Sequence, residues 1–239
     1  MDRLEEVKRD LNLEERIRQV GMRVSEACRR SGRSREEIRI VAVTKYASLE
    51  LTEQIIERGF DQIGENRWQD AREKWMRIGD RAVWHFLGRL QTNKVKDVVG
   101  KFEYIHSIDR LNLAEAIDRK AAALGVTVNG FIQVNVSGEA TKTGVAPDEL
   151  MTFADQLKDL QHLRIVGLMT MAPHEADPER TRPVFRRLRE LRDQMNASAI
   201  LPYKAADLSM GMSNDFEIAI EEGATWIRLG SVLAGNEGG

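Results

Sequence analysis

Eight short apolar runs, separated by longer amphipathic stretches, set the pattern of this 239-residue chain. The runs lie at 39–44, 61–64, 83–87, 102–106, 130–135, 164–168, 205–209 and 225–229. Helical periodicity fills residues 49–58, 67–78, 111–124, 147–157, 179–195 and 215–222 between them. Strands that alternate with helices run parallel, because each helix carries the chain back to the same end of the sheet. Eight such units predict closure into a (β/α)8 TIM barrel, since an open sheet of eight parallel strands is the less usual outcome. Leu13, Ile17, Val20, Val24 and Ala27 add an N-terminal helix that stops near Gly32. The expected fold is α/β, a single barrel domain over residues 1–239 with that extra helix. No Pro/Gly/Ser-rich linker interrupts it, and only ten residues follow Leu229, so no second domain is expected after the barrel.

The net charge of -2 argues against a nucleic-acid binder, which would present a basic face. The arginine-rich segment 180–192 carries an apolar stripe of Val184, Phe185, Leu188, Leu191 and Met195, and is read as an outer helix with a solvated face. Cys28 is the single cysteine, which fits a reducing compartment. The N-terminus is charged, and no stretch approaches the ~18 apolar residues of a membrane span. These features predict a cytoplasmic protein with neither nucleic acid nor membrane as partner.

Barrel proteins place their sites at the C-terminal ends of the strands. The first strand ends in Lys45, after five apolar residues among the seven from Ile38 to Thr44. Partial desolvation and a neighbouring cation would make its amine nucleophilic; a solvated strand-end lysine is the alternative. Gly211-Met212-Ser213 and Gly230-Ser231 follow the seventh and eighth strands, the two loops that often bind phosphate in this fold. Ordinary turn chemistry would also account for them. Arg228 either donates to a ring nitrogen at the barrel mouth or pairs with Asp207 or a nearby glutamate. Taken together, Lys45 and the Arg-Gly turn suit a carbonyl-bearing phosphate ligand held as a Schiff base. His85, His106, His162 and His174 have no metal-site spacing, and there is no Walker A loop or GxGxxG. His85 reads as a buried structural histidine or a ligand contact. Met169, Met171, Met210 and Met212 read as packing residues.

Several segments resemble the YggS/PROSC pyridoxal 5′-phosphate homeostasis proteins. They are Ile40-Val41-Ala42-Val43-Thr44-Lys45, Gly64-Glu65-Asn66, Gln133-Val134-Asn135, Lys142-Thr143-Gly144 and Gly167-Leu168-Met169-Thr170-Met171. Met210-Gly211-Met212-Ser213-Asn214-Asp215 and Ile227-Arg228-Leu229-Gly230 match as well. The most specific is Trp84-His85-Phe86-Leu87-Gly88-Arg89-Leu90-Gln91-Thr92-Asn93-Lys94. That family is similar to the barrel of fold-type III enzymes such as alanine racemase, without their second domain. The resemblance implies pyridoxal 5′-phosphate as cofactor, with Lys45 forming the internal aldimine. It implies that Ser213, Gly230 and Ser231 hold the phosphate and that Arg228 faces the pyridine nitrogen. Asn66, His85, Asn135 and Met210 would line the pocket. Two departures stand out: Tyr46-Ala47-Ser48 lacks the proline often found there, and Ser231-Val232-Leu233-Ala234-Gly235 lacks the family's Phe-Gly-Arg ending.

A racemase needs a base on each face of the cofactor. Lys45 supplies one, and Tyr46, Tyr104 and Tyr203 are the phenols that could supply another. An arginine at the ring nitrogen opposes its protonation and weakens the electron sink. The expectation is therefore a monomeric carrier that buffers the cofactor or delivers it to pyridoxal-dependent apoenzymes. A racemase or related fold-type III enzyme is the alternative, and a Schiff-base aldolase acting on a phosphosugar is a third reading.

Overall fold

The computed structural model describes residues 3–139 and 143–235, with side chains from residue 12 onward. Eight parallel strands close into a barrel in chain order, the last pairing with the first. They are β1 Arg39–Val43, β2 Gln62–Glu65, β3 Val83–Phe86, β4 Tyr104–Ile108, β5 Val128–Gln133, β6 Leu163–Met169, β7 Asp207–Ser209 and β8 Trp226–Leu229. Around them lie α1 Arg3–Ser31, α2 Leu49–Glu57, α3 Trp68–Ile78, α4 Val95–Val98, α5 Leu111–Leu124, α6 Leu150–Leu157, α7 Arg182–Ala197, α8 Phe216–Glu221 and α9 Ser231–Ala234. This is the (β/α)8 barrel with an added N-terminal helix that the alternation predicts. The fourth strand begins at Tyr104 rather than at 102, because Phe102 packs edge-on against Trp68, Trp84 and Phe86.

Side chains alternate between two cores, as a pleated strand requires. The larger core lies between sheet and helices and takes Ile63, Leu208 and Ile227 from the strands, with Ile55, Ile117, Leu188 and Phe216 from the helices. The smaller fills the barrel interior with Val41, Phe131, Met169 and Trp226. Four polar side chains share that interior region, His85, His106, Ser209 and Arg228, all buried.

Helix α1 buries Leu13, Val20, Val24 and Ala27 at helical spacing. It is tied to α8 by the two-pronged pair of Arg23 with Glu217, at 2.9 and 2.9 Å. Arg33 Nη1 also donates to the end carbonyls of Ile220 and Ala224. Arg16 Nε donates to Leu233 O of α9 at 2.9 Å, so the long helix braces the short one after β8. The arginine-rich helix α7 buries Phe185, Leu188, Leu191 and Met195 and sends Arg182, Arg186 and Arg189 to Glu222. Those arginines clamp α7 to the end of α8. No described helix is long and apolar enough to cross a membrane.

Candidate cofactor-binding site

The end of β1 is fixed from three directions. Thr44 N donates to Gly64 O at 3.1 Å, and Thr44 Oγ1 donates to Glu65 Oε1 at 2.7 Å. Lys74 Nζ, on α3, donates to Thr44 O at 2.5 Å and to Glu65 Oε1 at 2.9 Å. Both charges are buried, so removing either partner alone would cost about 3–5 kcal/mol. The residue before Lys45 is thereby anchored, and Lys45 emerges half-buried at the barrel mouth. Its Nζ lies 4.8 Å from the ring centre of the exposed Tyr46.

The loops after β7 and β8 meet beside it. Gly230 N and Val232 N both donate to Ser213 Oγ, at 3.3 and 3.5 Å. Backbone donors at the start of α9 and a hydroxyl therefore converge on one point, the arrangement that receives an anion. A Cβ on Gly230 would meet nothing nearer than Val43 Cβ at 3.7 Å, so packing does not demand glycine there. The missing side chain leaves the cavity wall open. Gly211 is different: its φ is +91°, and a Cβ would lie 2.6 Å from Ala219 Cβ. Asp215 Oδ1 accepts from Met212 N at 2.7 Å and closes that turn. Burial pushes the Asp215 carboxyl up, while the Met212 N–H and Arg228 oppose the shift. Gly88 lets the loop after β3 cross the Asn66 carbonyl, which a Cβ would strike at 2.1 Å.

These elements enclose a cavity of about 960 Å³ at the C-terminal mouth of the barrel. Lys45, Asn66, Ser213, Arg228, Gly230 and Ser231 all line it. Its size is that of a small-molecule site. Arg228 sits in its floor, where Nη1 donates to Ser209 Oγ at 2.6 Å and Nη2 to Thr170 O at 2.9 Å. Asp207 pairs instead with Arg39, at 3.5 Å. Burial pulls the Arg228 guanidinium down to about 10, with Asp215 acting the other way, so it stays charged at neutral pH.

Three residues expected at the pocket do not line it. His85 points into the barrel interior, where its ring stacks on Tyr104 at 4.5 Å and both nitrogens are taken by His106 and Gln62. Asn135 lies beyond the end of β5 and turns into its own loop, donating to Glu139 O at 2.9 Å. Met210 is fully buried in the outer core, because Ser209 before it takes the inward position. Lys142 lies outside the described residues. From β5 the cavity instead receives Gln133, whose Nε2 donates to Thr143 Oγ1 at 3.0 Å. Alternation gave a signal for it, a polar residue two positions after the inward Phe131. Met169, Met171 and Met212 line the cavity as well, although they read as packing residues. So does His174, in the loop after β6, which no local pattern marked. Tyr46 also reaches the cavity, whereas Tyr104 is inside the barrel and Tyr203 accepts from Ile165 N. Among the described residues, no group of three metal-ligating side chains gathers.

Residues 24–237 match the family model described as alanine racemase, N-terminal domain. A protein of Aquifex aeolicus named pyridoxal phosphate homeostasis protein is 42% identical over 94% of this chain and 98% of its own length. This chain belongs to the pyridoxal phosphate homeostasis protein family. A family member of the same name from Pseudomonas aeruginosa is 37% identical over 92% of this chain and 94% of its own. Among solved structures, PipY of Synechococcus elongatus PCC7942 with pyridoxal phosphate bound superposes with a TM-score of 0.77. It is 35% identical and covers 83% of this chain and 93% of its own. An alanine racemase of Clostridium difficile has a TM-score of 0.72 at 17% identity, a likeness of fold alone. This chain covers 56% of that racemase. The relatives' shared name is that of a homeostasis protein rather than of an enzyme.

Proposed function

We propose that this member of the family binds pyridoxal 5′-phosphate at the barrel mouth and buffers its supply. The observation that carries the reading is the convergence in one cavity of Lys45, Arg228, Gly230 and Ser213, whose hydroxyl receives the Gly230 N–H. Bound there, the cofactor would supply an aldehyde carbon to which Lys45 Nζ attaches covalently with loss of water. Ser213, Gly230 and Ser231 would receive the phosphate, Arg228 would face the ring nitrogen, and Asn66 would line the wall. A relative with the cofactor bound, at 35% identity, supports the assignment.

The reading is of a carrier. Arg228 is charged and its N–H groups can only donate, so a ring nitrogen facing it stays unprotonated and the electron sink that carbanion chemistry needs is weak. We take the protein to be a monomeric, cytoplasmic barrel of one domain over 1–239 that passes its cofactor to pyridoxal-dependent apoenzymes. The purified protein mixed with the cofactor should gain a visible absorption band that Lys45→Ala abolishes. Borohydride treatment followed by peptide mass spectrometry should then find the pyridoxyl group on Lys45; its absence there refutes the assignment. A catalytic reading draws on His174, which lines the cavity with Lys45 and is a second acid–base group. Solvent deuterium entering the α-position of an amino acid at turnover rates, and lost in His174→Ala, would establish it.

A further inference from the structure

The barrel interior holds a continuous row of hydrogen bonds that ends on Arg228. Arg228 Nη1 lies 2.6 Å from Ser209 Oγ, and Ser209 Oγ lies 2.8 Å from His106 Nδ1. His106 Nε2 lies 3.0 Å from His85 Nδ1, and His85 Nε2 lies 3.0 Å from Gln62 Oε1. Ser209, His106, His85 and Arg228 are all buried. The row therefore crosses the barrel from the first residue of β2 to the cavity floor.

Its direction follows from the chemistry of its members. A guanidinium only donates, so Ser209 Oγ accepts from Arg228. Among the described residues, the hydroxyl proton of Ser209 then has His106 Nδ1 as its acceptor, at 2.8 Å. A neutral His106 that accepts at Nδ1 carries its proton on Nε2 and donates it to His85 Nδ1. His85 in turn carries its proton on Nε2 and donates to the Gln62 carbonyl oxygen. The opposite direction would leave the Ser209 hydroxyl proton buried without a partner, which is costly. Burial holds both imidazoles uncharged, with His85 lowered to about 3 and His106 also well below its ordinary value. Each donation makes the next acceptor stronger, so the oxygen that receives Arg228 is more negative than a lone hydroxyl.

We infer that His106 and His85 are positioning residues: with Ser209 and Gln62 they form a one-way hydrogen-bond chain that locks the Arg228 guanidinium in rotation and keeps it a donor toward the cavity. The inference deepens the proposed function and rests on Arg228 being the residue that meets the cofactor ring. It also gives the interior a reason to be polar where an apolar core would pack as well. Rings at both histidine positions are stacked, His85 on Tyr104 and His106 on Phe131 at 4.3 Å, so each imidazole edge is aimed along the row.

The test uses the cofactor-free protein labelled with ¹⁵N at histidine and arginine. Both His85 and His106 should appear as neutral rings protonated at Nε2, and Arg228 should show separate, slowly rotating guanidinium signals. Ser209→Ala and His106→Gln should each collapse the Arg228 signals to an average. Each should also weaken cofactor binding by on the order of tenfold, the loss expected for one hydrogen bond to a charged group. A proton on Nδ1 of either ring overturns the inference, and this reading of the unmodified protein stands even if a variant fails to fold. Unchanged Arg228 signals in both folded variants overturn it too. Failure of the unmodified protein to take up the cofactor would instead refute the functional reading, while leaving the locked guanidinium to be judged by its own signals.

Discussion

At the scale of single residues, the same four-residue vocabulary of lysine, arginine, serine and histidine serves different ends according to depth. Lys45 is at the mouth and half-buried, whereas Lys74 is buried and spends its charge on Glu65 and the Thr44 carbonyl. The strand end that presents one lysine is thus held by another. The two buried histidines make a pH prediction. In the folded chain His85 titrates at about 3 and His106 well below 6.5, while unfolded both return to about 6.5. Below that value the unfolded chain binds protons that the folded chain refuses. Stability is then full above about pH 6.5 and is lost as pH falls toward about 3. With both rings contributing, the slope should approach about 2.7 kcal/mol per pH unit. Urea midpoints taken from about pH 7.5 to about pH 5 measure it, and the double variant His85→Gln, His106→Asn should flatten the curve. An equally steep curve in that variant would place the titration elsewhere.

At the scale of elements, the site is a matter of how loops leave the strands. The turn after β7 needs Gly211, and the reason is local: φ is +91° and Ala219 and Phe216 of α8 stand against any side chain. Gly211→Ala should cost about 2 kcal/mol or more in a denaturation experiment. It should also weaken cofactor binding, because the turn carries Ser213. Gly21 in α1 provides the contrast, since a Cβ there meets nothing within 4 Å. Gly21→Ala should leave binding unchanged and stabilise by about 0.5–1 kcal/mol. Equal effects of the two substitutions on cofactor affinity would show that the β7 turn does not shape the site. The sequence marked both glycine turns, after β7 and after β8, because their residue types and strand-end positions are local facts. It did not mark His174, whose loop has no periodicity to read.

At the scale of the whole molecule, closure of the sheet is what brings the first strand beside the last. Ala42 pairs with Leu229, and a Cβ placed on Gly230, just past β8, would come within 3.7 Å of Val43 at the end of β1. A ligand bridging Lys45 and the Gly230 turn would therefore staple the barrel at its seam. Cofactor at about 100 times its dissociation constant should add about 2.7 kcal/mol to stability. For a chain of this size that corresponds to a rise in melting temperature of about 5–10 °C, readable by calorimetry. In Lys45→Ala most of the rise should vanish. A full rise in that variant would mean that the covalent link contributes little to binding.

What the amino-acid order determined alone was the count of strands, the seven longer helices but not the short α4 and α9, the parallel run of the sheet, the closed barrel and the strand ends where Lys45, Ser213, Arg228 and Gly230 stand. Those features depend on hydrophobic period and turn residues, which act over a few positions. The folded chain decided which neighbours face the cavity: Gln133 rather than Asn135, Ser209 rather than Met210 in the interior, and His106 and Gln62 as the partners of His85. Facing depends on where each strand leaves the sheet, and the partners of a buried polar group come from other strands, so neither is written in local spacing.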